Sequence, residues 1–119
     1  MIEELDGMPD GVIGFEASGT LRAEDYRDIL LPSLDRASKL GDVRLVVVIQ
    51  EFKGISGGAI WEDLKIGFSH IRKWKRIALV TDIEWMSYLT SLFGWMTPGE
   101  TKVFGLAERD DAVAWAAGG

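Results

Sequence analysis

Cysteine is missing from this 119-residue chain. Disulfides, thiolate metal sites and cysteine nucleophiles are therefore excluded. Histidine occurs once, at His70. One imidazole without thiolates makes no transition-metal site, and no cofactor or metal is expected. A Ser56–His70 catalytic pair fails on distance. In one helix over residues 59–73 the two would sit at opposite ends, about 20 Å apart at 1.5 Å per residue. Basic residues are in deficit, 13 Lys and Arg against 19 Asp and Glu, for a net charge of -6. That balance argues against nucleic acid as a partner. No apolar run reaches the ~18 residues of a spanning helix. Met1-Ile2-Glu3-Glu4-Leu5-Asp6 lacks the basic start and apolar core of a signal peptide. The expectation is a soluble cytoplasmic protein with no transmembrane segment. Without repeats, low-complexity tracts or linkers, residues 1–119 read as one domain.

What is present is ordinary globular composition, 47% hydrophobic and 27% charged. Ile2 to Asp6 and Val12 to Gly19 read as two strands joined through Gly7, Pro9 and Gly11. Thr20 suits a helix N-cap, with Glu24 and Asp25 in the first turn. Tyr26, Leu30, Leu34 and Ala37 then mark one buried helix face, Pro32 predicts a kink, and Gly41 a stop. Val43 to Ile49 is a β-branched run that suits a central parallel strand. A loop through Lys53, Gly54, Ile55 and Ser56 leads to a second helix with Ile60, Leu64, Phe68 and Ile71 inside.

Arg76 to Thr81 is the next buried strand. Thr81 and Glu84 have capping-box spacing for a third helix, which Pro98-Gly99 ends. Thr101 to Leu106 is the last strand. Glu108 to Ala117 is a terminal helix packing through Ala112, Val113 and Ala116, with Asp110 and Asp111 in its first turn. The order β-β-α-β-α-β-α-β-α predicts an α/β fold, a five-stranded, mostly parallel mixed sheet with four helices.

The third predicted helix, over Ile83 to Met96, is the unusual one. Its polar residues Glu84, Ser87 and Ser91 recur at i, i+3 and i+7 in one narrow stripe, and the helix is apolar around most of its circumference. A surface helix normally shows the reverse. Such a helix needs more core, an apolar ligand, a membrane or a second copy to cover it. Arg72-Lys73-Trp74-Lys75-Arg76 is a dense basic cluster. It either complements a helix C-terminus in solvent or joins Trp74 in a peripheral contact with anionic lipid. Glu62 and Asp63 point about 100° apart on a helix and form no acid–base pair.

Several segments resemble the SpoIIAA-like family, a STAS/SEC14-like group also likened to the lipid-carrying CRAL-TRIO domains. They are the two-strand start, Gly19-Thr20-Leu21-Arg22-Ala23-Glu24-Asp25-Tyr26, Ile60-Trp61-Glu62-Asp63-Leu64-Lys65 and Glu108-Arg109-Asp110-Asp111-Ala112-Val113-Ala114-Trp115. The resemblance covers nearly the whole chain and implies the SpoIIAA-like (STAS-type) fold. It also implies a relation to anti-sigma factor antagonists, which bind regulatory proteins and are switched by serine phosphorylation after the central strand. Ser56 occupies a comparable place here, although Ile55 precedes it rather than an acid or a serine.

Ser56-Gly57-Gly58 before a helix offers free N–H groups to an anion, but no Lys follows as a P-loop requires. The leading expectation is a non-enzymatic binding protein for a small hydrophobic or amphipathic ligand such as a lipid. Trp61, Trp85, Leu89, Phe93 and Met96 form the walls, and Ser56, Gly57 and Gly58 meet a polar head group. The alternative is a regulatory protein–protein module switched at Ser56. A homodimer through the apolar helix is a further expectation.

Overall fold

A computed structural model describes residues 2–55, 74–83 and 100–118. Strands β1 (Ile2–Leu5), β2 (Val12–Leu21), β3 (Val43–Ile55), β4 (Trp74–Thr81) and β5 (Glu100–Phe104) form a five-stranded sheet in the order β1-β2-β3-β4-β5. β1 pairs antiparallel with β2, and every other neighbouring pair is parallel. This is the mixed sheet expected from the sequence. Two of the four expected helices fall among the described residues; those expected over 59–73 and 83–96 lie outside them, apart from Ile83.

β3 sits in the middle because its residues are apolar on both faces. Val43, Leu45, Val46, Val48 and Ile49 are all buried. On one face, Val43, Leu45 and Ile49 join Ile2, Phe15, Ala17 and Trp74 around Leu34. On the other, Val46 and Val48 join Ala78, Val80 and Phe104 beneath Ala112 and Ala116. Leu34 comes from helix α2 (Leu31–Leu40), and the two alanines from helix α3 (Arg109–Ala116). Among the described residues, one helix therefore packs on each face. Ala112 and Ala116, with no bulk beyond Cβ, let α3 lie close against the β-branched strands. That matches the expected role of Ala112, Val113 and Ala116.

The helix after β2 departs from expectation in its start and its middle. Thr20 is not an N-cap: β2 continues through it to Leu21. The helical segment begins as α1 (Ala23–Asp25), where the Asp25 carboxylate accepts the Arg22 N–H at 3.2 Å. A five-residue π turn follows, Tyr26–Leu30. Pro32 is then the second residue of α2, where a missing N–H leaves no intrahelical bond unmade. The π turn runs directly into α2, since Leu30 is itself helical at φ -68°, ψ -55° and no side chain caps the junction. Leu34 is fully buried, Leu30 and Ala37 are half-buried, and Gly41 follows the last turn.

β3 is also longer than expected. The predicted loop through Lys53, Gly54 and Ile55 is strand. The last β3–β4 pair is Ile49 with Thr81, yet β3 stays paired to β2 as far as Leu21 with Ile55. Residues 50–55 thus carry a two-stranded ribbon about 20 Å past the end of β4, at about 3.3 Å per residue. Register shifts at Ala17/Ser18 and Gly19/Thr20 bend it. Gly19 sits between them at φ +66°, a conformation side chains resist.

Phe15 is fully buried at the centre of the α2-side core. Phe15→Ala is expected to cost about 3–5 kcal/mol, by lost transfer energy plus the cavity left behind. Urea unfolding of wild type and variant measures it; a loss below about 1 kcal/mol would contradict this placement.

Candidate functional site

Ligands of open parallel sheets bind outside the carboxyl ends of the strands. Here that edge is built from the overhanging β2–β3 ribbon, the end of β4 and the corner after β5. Thr81 closes β4, buried, and its hydroxyl accepts the Ile83 N–H at 3.2 Å. Glu84, its expected capping-box partner, lies outside the described residues. Asp82 accepts the Leu106 N–H at 3.0 Å, and Glu108 accepts the Gly105 N–H at 3.1 Å. Both carboxylates are thus occupied in holding the corner that launches a short 3-10 turn (Leu106–Glu108) and then α3. Phe52 on the ribbon and Ile83 after β4 both pack on the α2-side core cluster.

The basic cluster does not behave as one surface. Trp74 opens β4 and is 4% exposed, packed in the α2-side core. This corrects its reading as an interfacial aromatic: Val43 draws it into the sheet as its β-pair partner. Lys75 is exposed. Arg76 turns to the other face, donates to the Trp115 carbonyl and lies 4.9 Å over the Trp115 ring. Its Nε is 3.6 Å from a Glu100 carboxylate oxygen. Arg44 donates to the Ala116 carbonyl at 2.8 Å. Two guanidinium groups from the starts of β3 and β4 therefore cap the C-terminus of α3, where carbonyls lack helical partners and the dipole is negative. Arg72 and Lys73 lie outside the described residues.

An open cleft of about 520 Å³ lies at the opposite edge, beside the starts of β2 and β3. Leu5, Ile13 and Leu40 line it, with Glu4, Ser33, Arg36, Asp42 and Arg44 as its polar groups. Arg36 donates to the Ser33 hydroxyl at 3.2 Å and approaches Glu4 at 3.9 Å. A guanidinium cannot accept the serine proton, so the Ser33–Arg36 pair is not a nucleophile and base. Sequence reasoning missed this cleft because its walls come from β1, β2, α2 and β3. Its single local signal is Leu40, 90% exposed at the end of α2.

The Asp28 carboxyl is held below its ordinary range by the Arg27 hydrogen bond, at 2.9 Å. That pair is fully exposed within one turn and reads as surface structure. Among the described residues, no group of three or more His, Asp or Glu is placed to hold a metal ion. No helix of the described residues is long and apolar enough to cross a membrane. Ser56, Gly57, Gly58, Trp61, Trp85, Leu89, Phe93 and Met96, expected to form the ligand site, all lie outside the described residues, as does His70. Ser56 directly follows Ile55, the last residue of β3.

The SpoIIAA-like family model matches residues 12–117, from the first residue of β2 to just beyond α3. The chain belongs to the SpoIIAA-like family. A solved structure of an uncharacterised protein with a SpoIIAA-like fold from Shewanella loihica PV-4 is similar at 32% identity. That match covers 98% of this chain and 92% of the other, with a TM-score of 0.74. No curated protein matches this SpoIIAA-like chain.

The arginine clamp is directly testable. Arg76→Ala removes a charge-assisted hydrogen bond and a cation–π contact and is expected to cost about 2–3 kcal/mol. Arg76→Lys, lacking the planar fork, is expected to recover less than half of that. Thermal unfolding followed by circular dichroism reads both; an unchanged melting temperature for Arg76→Ala would refute the clamp.

Proposed function

We propose that this SpoIIAA-like protein is a non-enzymatic, cytoplasmic binding protein for a small apolar or amphipathic molecule such as a lipid. The supporting observation is the packing of Ile83. It is the first residue of the apolar stretch Ile83 to Met96, and it packs on the α2-side core. Ile83 thus stands just after β4 at the carboxyl edge, against apolar surface. On the sheet itself Ile77, Leu79 and Val103 are half-buried, and Ile77 and Leu79 join that same core cluster. Burial of such surface at about 25 cal/mol per Å² drives binding. In this reading Trp61, Trp85, Leu89, Phe93 and Met96 contact the apolar part, and Ser56, Gly57 and Gly58 the polar head.

Oleate is the probe. Titration into the protein is expected to shift tryptophan emission to the blue, and native mass spectrometry of protein from cells to show an extractable mass excess. Trp85→Ala is expected to weaken oleate binding by about tenfold or more through lost apolar contact. Emission indifferent to oleate, with no mass excess, would end this reading.

A second reading is a regulatory protein-binding module, favoured by the position of Ser56 one residue after β3 at the end of the overhanging ribbon. A phosphate there adds charge that favours or repels a partner. Ser56→Asp is expected to change retention of a co-purifying protein by at least about tenfold, and Ser56→Ala to leave it intact, as measured by affinity capture. Wild-type behaviour from both would exclude it.

A further inference from the structure

The two edges of the sheet differ in a way that bears on assembly. β1 and β5 each pair with one strand among the described residues, so each leaves a row of backbone groups on its outer side. Natural edges are defended by charge against uncontrolled pairing. β1 carries Glu3 and Glu4 and no cation. No antiparallel register of β1 with itself sets opposite charges together. β5 reads Glu100-Thr101-Lys102-Val103-Phe104. When two copies run antiparallel and centre on Thr101, Glu100 faces the partner's Lys102, and Lys102 faces the partner's Glu100. Centring on Lys102 instead opposes two ammonium groups. Centring on Glu100 opposes two carboxylates, and the remaining registers set a charge against an uncharged residue. One register alone is charge-complementary.

We propose that the β5 edge is a homodimer surface, in which a second copy of this chain adds its own β5 antiparallel about a two-fold axis at Thr101. The geometry suits an isologous contact, the same patch on both copies. Glu100 is 72% exposed at its side chain and Lys102 is exposed, so both are within reach of a partner strand. Each charge has one neighbour within the chain and remains open to solvent on its other side. Glu100 meets Arg76 at 3.6 Å, and Lys102 lies 5.1 Å over the Phe104 ring. Directly opposed side chains in an antiparallel pair stand about 4.5–5.5 Å apart at Cβ, close enough for both ion pairs. Thr101 itself has a buried hydroxyl without a hydrogen-bond partner. That hydroxyl is already covered within one copy, so the contact is carried by the flanking Glu100 and Lys102 rather than by Thr101. The result is a ten-stranded continuous sheet from two five-stranded ones, with the acidic β1 edges outermost. This contact is independent of the ligand reading.

The test is reciprocal charge reversal, followed by light scattering on a sizing column and sedimentation equilibrium. Wild type is expected to dimerise. Glu100→Lys and Lys102→Glu each turn two attractive pairs into repulsive ones, weakening the dimer by at least about tenfold. An equimolar mixture of the two variants restores complementarity and is expected to recover the dimer. Should either variant fold poorly, Thr101→Cys provides a separate measure. The chain contains no other cysteine, and mild oxidation is expected to link two copies through position 101. A monomeric wild type, a dimer indifferent to either reversal, a mixture that stays monomeric or an absent cross-link would each overturn the proposal.

Discussion

Everything in this fold depends on β3 being buried on both faces. A strand apolar on one face needs a single covering layer, whereas Val43, Leu45, Val46, Val48 and Ile49 require two. α2 covers one side and α3 the other. β2 and β4 must flank β3 because its backbone groups, sealed from water on both faces, need a partner on each side. The positions of Phe15, Leu34, Ala112 and Ala116 follow from that one requirement.

The two ends of the sheet are finished differently. At the amino end of β3 and β4, Arg44 and Arg76 close the C-terminus of α3 with guanidinium donors. These two arginines are thereby committed to structure. At the carboxyl end, β4 stops at Thr81 while the β2–β3 ribbon continues past it on two bulges. The two segments expected to carry the ligand residues follow directly in sequence from Ile55 and Ile83 at that edge.

The amino-acid pattern was most legible where one physical force dominates. Continuous β-branched runs marked β3 and β4, alternation with helices marked the parallel pairing, and alanines at Ala112 and Ala116 marked the inner face of α3. It was least legible at boundaries. Thr20 has every local property of an N-cap, yet pairing with Gly54 holds it in the sheet. Gly54 and Lys53 look like loop residues, yet bulged pairing with β2 keeps them in β3. Pro32 predicts a kink, but the chain's answer, a π turn that runs directly into α2, depends on where Leu34 must point to meet the core.

By itself, then, the sequence determined the layers: which segments are apolar on two faces, which on one, and in what order they alternate, because burial of apolar surface is a property of composition and period. It also determined the excess apolar character of Ile83 to Met96, which any structure must accommodate. Only the tertiary structure decided the fate of individual polar and aromatic groups. Trp74 became core, Arg76 a cap on a helix far away in sequence, and Asp82 and Glu108 the clasp of a corner. The reason is physical: a charge or an indole is satisfied by whatever partner the fold brings within a few ångströms, and that partner is set by strand pairing rather than by neighbours along the chain.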